Sequence, residues 1–162
     1  MDNKIIEIVK NTWEAEALSI SALVKDTDES SIMAAIDVLG NMKGKAIVSG
    51  CGTSGAAAKK IAHSLCCVER PAAFLSPADA VHGALGMLQR EDVLILITKG
   101  GNTMEVVNLI HACQVKGAYL IGVTENPDSI LAKQADLLLK VKVKQEPCPF
   151  NMLATASTMA VI

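Results

Sequence analysis

Residues 46–55 read Ala46-Ile47-Val48-Ser49-Gly50-Cys51-Gly52-Thr53-Ser54-Gly55, and residues 93–103 read Val93-Leu94-Ile95-Leu96-Ile97-Thr98-Lys99-Gly100-Gly101-Asn102-Thr103. Each stretch is a short apolar run that breaks into a turn of glycines and hydroxyls, and a helical pattern follows. Strands that read as unbroken apolar runs belong to parallel sheets covered on both faces. A turn that feeds a strand into a helix offers bare backbone N–H groups at the positive helix end, which suits an anion. Glycine lets the backbone come close to such a ligand, and Ser54, Thr98 and Thr103 add hydroxyl donors. One such turn is common in any α/β sheet. Two of them predict a phosphate site made of Gly50, Gly52, Thr53 and Ser54 on one side and Thr98, Lys99, Gly100, Gly101, Asn102 and Thr103 on the other.

Outward from these turns the pattern alternates. Helices are expected from about Ala56 to Cys67, over Pro77 to Leu85 behind Ser76, from Met104 to Val115 with Gly117 as the stop, and over Ser129 to Ala135. Further strands are expected at Ala72–Leu75, Ala118–Thr124 and Leu137–Val143. Strands alternating with helices imply a parallel sheet with right-handed crossovers. Upstream, Ile5, Ile8, Val9, Trp13, Leu18, Ile20, Leu23 and Val24 fall near one face of a helix over Lys4–Lys25. Thr27 and Asp28 offer N-caps for a second helix running to about Met42, with Gly44 ending it. The expected fold class is α/β. A parallel five-stranded sheet is flanked by helices in a flavodoxin-like or Rossmann-like three-layer sandwich. A single domain over 1–162 divides into an N-terminal helical extension (1–43) and an α/β core (44–162).

Composition narrows the function. Apolar residues make up 51% of the chain and aromatics 2%, so the core is built from small aliphatic side chains. The formal net charge of −2 supplies no basic surface for nucleic acid. No apolar run approaches the roughly 18 residues that span a bilayer. Asp2, Lys4 and Glu7 interrupt the opening residues, unlike a secretory signal. Five cysteines (Cys51, Cys66, Cys67, Cys113 and Cys148) make an odd set without zinc-ligand spacing, and reduced thiols in a cytoplasmic protein are expected. Neither a metal nor a cofactor is expected.

The run Gly50 to Gly55 also matches G-x-G-x-x-G, the dinucleotide fingerprint. That motif wants an acidic residue about 20 positions on, at the end of the second strand. Phe74, Leu75 and Ser76 stand there instead, and Glu69 precedes the strand. The dinucleotide reading also leaves the second turn unexplained.

Three longer segments carry a resemblance: Gly50 to Gly55, then Ser76-Pro77-Ala78-Asp79-Ala80-Val81-His82-Gly83-Ala84-Leu85-Gly86-Met87, then Lys144-Gln145-Glu146-Pro147-Cys148-Pro149. They resemble the SIS (sugar isomerase) domain of arabinose-5-phosphate isomerases, with G-M-G-K-S-G, H-P-x-E-A-x-H-G-D-L-G-M and K-E-A-C-P as the family's versions. The resemblance runs over nearly the whole chain. It implies a SIS-type fold, a sugar phosphate as ligand, interconversion of D-arabinose 5-phosphate and D-ribulose 5-phosphate, and a homotetramer with shared sites. The chain departs from the family pattern in the turns. Thr53 replaces a lysine, Lys99 an asparagine, Gly100 a serine and Asn102 a glutamate. Ala154-Thr155-Ala156-Ser157-Thr158 stands for A-P-T-S-S-T, and Thr158 to Ile162 read as part of an apolar helix. A later family histidine and the paired CBS modules have no counterpart within residues 1–162.

Aldose–ketose isomerisation moves a proton between C1 and C2 and needs a base there, with an acid or base at the oxygens. By resemblance, Glu105 and Glu146 match two glutamates given such work. His82 is a candidate to polarise a sugar oxygen or carry a proton near neutral pH. Each has a plainer alternative. Glu105 sits where a helix start favours any carboxylate, Glu146 where a solvated loop acid is common, and His82 where a structural histidine would serve. Two classes remain from the residues alone: a phosphosugar isomerase, favoured by these three side chains, and a non-catalytic sugar-phosphate sensor, favoured by the missing lysine and distal histidine.

Overall fold

The computed structural model describes residues 2–148, 150 and 153–162. Pro149, the last residue of the third resembling segment, lies outside them. The order is α1 (Asp2–Asp26), α2 (Glu29–Asn41), β1 (Ala46–Gly50), α3 (Gly52–Cys67), β2 (Ala72–Leu75), α4 (Pro77–Ala80), a 3-10 turn (Ala84–Met87), β3 (Val93–Ile97), α5 (Met104–Lys116), β4 (Tyr119–Thr124), α6 (Ile130–Gln134), β5 (Leu137–Lys140) and α7 (Ala156–Val161).

The five strands form one sheet in the order β2-β1-β3-β4-β5, and every pairing is parallel. The unbroken apolar runs have the expected cause: β1 and β3 are buried along their whole length. Alternation then sorts their side chains. Leu94 and Leu96 enter one core with Val106, Leu109 and Ile110 of α5. Val93, Ile95 and Ile97 enter the other with Ala58 and Ala62 of α3 and Ala35 of α2. The small alanines let α3 lie close on the sheet, so a chain with few aromatics still fills both layers.

Strand order reverses between β1 and β3, since the chain leaves β1 outward to β2 and returns on the other side. A crevice opens outside the carboxyl ends of the strands at such a switch point, where open α/β sheets bind ligands. The two glycine turns are the ones that leave β1 and β3.

Several expected boundaries shift for local reasons. Helix α3 begins at Gly52, not near Ala56, because Cys51 is already extended as its N-cap and Gly52 turns the chain with φ +56°. The helix expected over Pro77–Leu85 breaks at Gly83, whose φ of +109° no helix accommodates. What remains is one helical turn capped by the Ser76 hydroxyl, then the 3-10 turn. Gly44 does not end α2, which stops at Asn41. A Cβ at Gly44 would collide with the Asp92 carboxylate. Strand β5 ends at Lys140 rather than Val143, because its partner β4 runs out at Thr124, opposite Lys140. Asp28 caps α2 and Gly117, in the left-handed conformation, ends α5, both as expected.

Helix α1 packs against α7 but leaves a long apolar stripe in solvent. Ile5, Ile8, Trp13, Leu18 and Val24 are all more than half exposed. Among the described residues no helix is long and apolar enough to cross a membrane.

Candidate active site

The first glycine turn is held by contacts that only glycine permits. A Cβ on Gly55 would lie 2.7 Å from the Gly50 carbonyl oxygen, and one on Gly50 would lie 2.9 Å from that of Ser54. The start of α3 is therefore pressed onto the end of β1. The first N–H groups of a helix have no partner inside it, and Cys51 caps α3 with its backbone alone. Those groups are left aimed into the crevice with the positive end of a 16-residue helix behind them.

The second turn is fixed from β4 and α6. Thr124 Oγ1 donates to the Lys99 carbonyl at 2.8 Å, and the Asn126 side-chain amide reaches the Gly100 carbonyl at 3.4 Å. Gly101 has φ +73°, and a Cβ there would overlap the Ser129 hydroxyl. The Asn102 carboxamide oxygen accepts from the Ile130 N–H at 2.9 Å. Asn102 thus ties the turn to α6. Thr98, buried at the end of β3, shares a 2.7 Å hydrogen bond with the hydroxyl of Thr103, the N-cap of α5.

The two turns meet at a cavity of about 60 Å3 whose walls include Thr53, Ser54, Thr98, Lys99, Ser157 and Thr158. Its other walls include the apolar Ile97, Val123, Val141 and Val161 and the acidic Glu125, and the space holds only a small group of atoms. On the other side of the first turn a cavity of about 670 Å3 is lined by Gly50, Cys51, Gly52, Ser76, Asp79 and Glu105. The start of α3 separates the small cavity from the large one. A third cavity, about 650 Å3 beside Asp37, Arg90 and Tyr119, opens at the amino ends of the strands, away from both turns.

The three candidate catalytic side chains stand in different surroundings. Glu105, exposed in the first turn of α5, faces the large cavity. Glu146 is buried beside the small one. Its Oε1 accepts from Lys99 Nζ at 2.8 Å, and its Oε2 accepts from the N–H groups of Thr155 at 3.0 Å and Ser157 at 3.3 Å. Burial pushes this carboxyl up, but the hydrogen bonds from Lys99, Ser157 and Thr155 outweigh it and hold the pKa at about 2. His82 is exposed in the turn after α4, and it is not among the residues lining either cavity.

Lys99 reaches across to Glu146 with its side chain 42% exposed, so it neither hangs free in solvent nor is buried. Cys51 sits at a helix start, where a thiolate is favoured in principle. Burial and then the charge of Glu105 push its pKa up instead, so it packs as a thiol. Among the described residues no group of three or more His, Cys, Asp or Glu side chains could hold a metal ion. Thr124, Asn126 and Ser129, which fix the second turn, carried no signal in the sequence. Their partners lie about 25 residues away, beyond any local pattern.

Residues 41–162 match the SIS domain family. The arabinose 5-phosphate isomerase KpsF of Escherichia coli O6:H1 is 35% identical over 158 residues, which cover 98% of this chain and 48% of that protein. The chain spans about half the length of the curated relatives it matches. A Listeria monocytogenes structure, assigned as a candidate sugar-phosphate isomerase, superposes with a TM-score of 0.97 at 58% identity over 99% of this chain and 85% of that one. Escherichia coli CFT073 c3406, solved in complex with arabinose 5-phosphate, has a TM-score of 0.94 at 31% identity, over 99% of this chain and 86% of that one.

Proposed function

The chain belongs to the SIS domain family, and we propose that it is a phosphosugar isomerase that interconverts an aldose phosphate with its ketose, with D-arabinose 5-phosphate and D-ribulose 5-phosphate as the pair to test first. One observation supports the reading: Thr53 and Ser54 at the bare start of α3 and Thr98 and Lys99 of the second turn line one small cavity, with the Thr103 hydroxyl bonded to that of Thr98 behind it. The larger cavity across the α3 start has the size and the polar walls for a carbon chain bearing hydroxyls. A substrate that straddles the start of α3 puts its phosphate in the first and its sugar in the second.

In this arrangement Glu105 is the proton carrier. It takes the proton from C2 of the aldose as the electrons move into an enediolate. It then returns a proton to C1 as the hydroxyl proton passes from O2 to O1 and the carbonyl reforms at C2. Proton transfer of this kind needs the carboxylate within roughly 3 Å of the reacting carbon's hydrogen, and the open wall at Glu105 leaves room for that approach. Backbone N–H groups of the first turn face the developing oxyanion. His82 is assigned to a sugar oxygen in the site of a neighbouring copy. That assignment belongs with a homotetramer, for which the exposed stripe on α1 is the supporting feature.

The deciding experiment follows arabinose 5-phosphate and ribulose 5-phosphate by proton NMR in D2O. Interconversion with deuterium appearing at the exchanging carbon supports the isomerase. Tight binding without any exchange would replace it with the sensor.

A further inference from the structure

We propose that Glu146 is a positioning residue for the phosphate seat: its carboxylate holds the Lys99 ammonium over the cavity, and it does not itself carry the substrate proton. The proposal rests on the sugar-phosphate reading above and assigns within it a task that the sequence alone pointed elsewhere.

The carboxylate is fully engaged. One oxygen accepts from Lys99, and the other accepts from the N–H groups of Thr155 and Ser157, with the Thr155 hydroxyl 3.5 Å away. Only 3% of the side chain is exposed. A base must come within hydrogen-bond reach of the proton it takes, and no face of Glu146 is open to a sugar carbon. Glu105, on the wall of the open cavity, has such a face.

Lys99 shows the complementary pattern. An ammonium has three donors, and the one side-chain bond described for Lys99 is to Glu146. Its remaining donors carry no described side-chain bond, and Lys99 lines the small cavity together with Thr53, Ser54 and Thr98. A lysine on a flexible stem loses much rotamer freedom when fixed. The carboxylate behind it meets that cost before any ligand arrives. The chain has Thr53 where a lysine would otherwise charge the first turn, so the cation of this seat comes from the second turn. Glu146, 47 residues beyond Lys99 in sequence, links that turn to Thr155 and Ser157 at the start of α7.

The test compares wild type with Glu146→Gln, Glu146→Asp, Lys99→Met and the Glu146→Gln/Lys99→Met double variant. Calorimetry with inorganic phosphate gives the affinity of the seat, and steady-state kinetics with arabinose 5-phosphate give kcat and KM. Glu146→Gln is expected to weaken phosphate binding and raise KM by about tenfold or more, the scale of a lost charge-assisted hydrogen bond, while kcat stays within about tenfold of wild type. Glu146→Asp, which keeps the charge, restores much of the affinity. The double variant binds phosphate no more weakly than Lys99→Met. A fall of about a hundredfold or more in kcat with unchanged phosphate affinity would overturn the proposal and make Glu146 the proton carrier. Tighter phosphate binding in Glu146→Gln would overturn it too, because the carboxylate would then be opposing the anion. Should Glu146→Gln not fold, the Asp and Met variants still separate these results. A wild type that does not turn over arabinose 5-phosphate counts against the isomerase, and the phosphate affinities still decide the role of Glu146.

Discussion

Replacing Glu146 by Gln should cost stability at neutral pH and almost none in acid. The carboxyl falls from its ordinary value of about 4.5 to about 2 in the folded protein. At about 1.4 kcal/mol per pKa unit, this favours the folded state by roughly 3 kcal/mol when the group is ionised. A depressed pKa contributes stability above the unfolded value and loses it as pH falls through the folded one. The contribution is therefore complete above about pH 5 and fades between about 4.5 and 2. Glutamine imitates the protonated carboxyl in shape and charge, so the difference between the two proteins follows the same curve. Urea unfolding of both, at pH 7, 5, 4 and 3 and equal protein concentration, measures it. Asp92 is also held low, by hydrogen bonds from Lys45 and Gln89 that outweigh its burial, but it titrates in both proteins and cancels. A gap of roughly 3 kcal/mol at pH 7 that has fallen to about half by pH 3, and is still closing toward pH 2, supports the reasoning. A gap that stays constant with pH would show that the ion pair with Lys99 contributes nothing and that altered packing of the substituted side chain is the whole effect.

Glu105→Gln should lower kcat by about a hundredfold or more and leave the calorimetric affinity for inorganic phosphate near wild type; retained turnover would remove Glu105 from the mechanism. Gly101→Ala should destabilise the protein by about 1–3 kcal/mol in thermal or urea unfolding, because it places a Cβ at φ +73° against the Ser129 hydroxyl. A stability equal to wild type would mean that the turn relaxes freely. Leu18→Asp, on the exposed stripe of α1, should shift the sedimentation coefficient toward the monomer at micromolar concentration without lowering the unfolding free energy of the isolated chain. An unchanged oligomer, or a wild type that is already monomeric, would detach α1 from assembly.

Strands were the most legible part of the sequence. β1 and β3 lie between two helical layers, so every residue is apolar or small, and β2, an edge strand in which only Leu75 is buried, is still apolar from Ala72 to Leu75. Helix starts made of glycine were not legible. Gly52-Thr53-Ser54-Gly55 has the composition of a loop, yet the close approach to Gly50 makes it the first turn of α3. Nor was the break at Gly83 visible, because the apolar pattern continues past it. At the site, the two turns and their hydroxyls were readable because each is continuous in sequence. The surroundings of the carboxylates were not. Glu105 and Glu146 look alike as loop-proximal acids, and only the fold leaves one on an open wall and seals the other under Lys99, Thr155 and Ser157. The link between Asn102 and Ile130 was equally hidden, since a substitution that removes a charge gives no hint of a new hydrogen bond 28 residues away.

The exposed face of α1 has a spectroscopic consequence. Trp13 is the chain's one tryptophan, and it is 66% exposed on that helix, remote from both cores. In an isolated copy its emission starts from a solvated indole, so loss of the sheet changes it little, and a fluorescence melt of the monomer would pass over the main transition almost silently. Burial of the same indole against another molecule would shift its emission to the blue and reduce its access to quenchers. The one strong chromophore of this chain is thus a reporter of what lies against α1, and unfolding has to be followed through the peptide bonds instead.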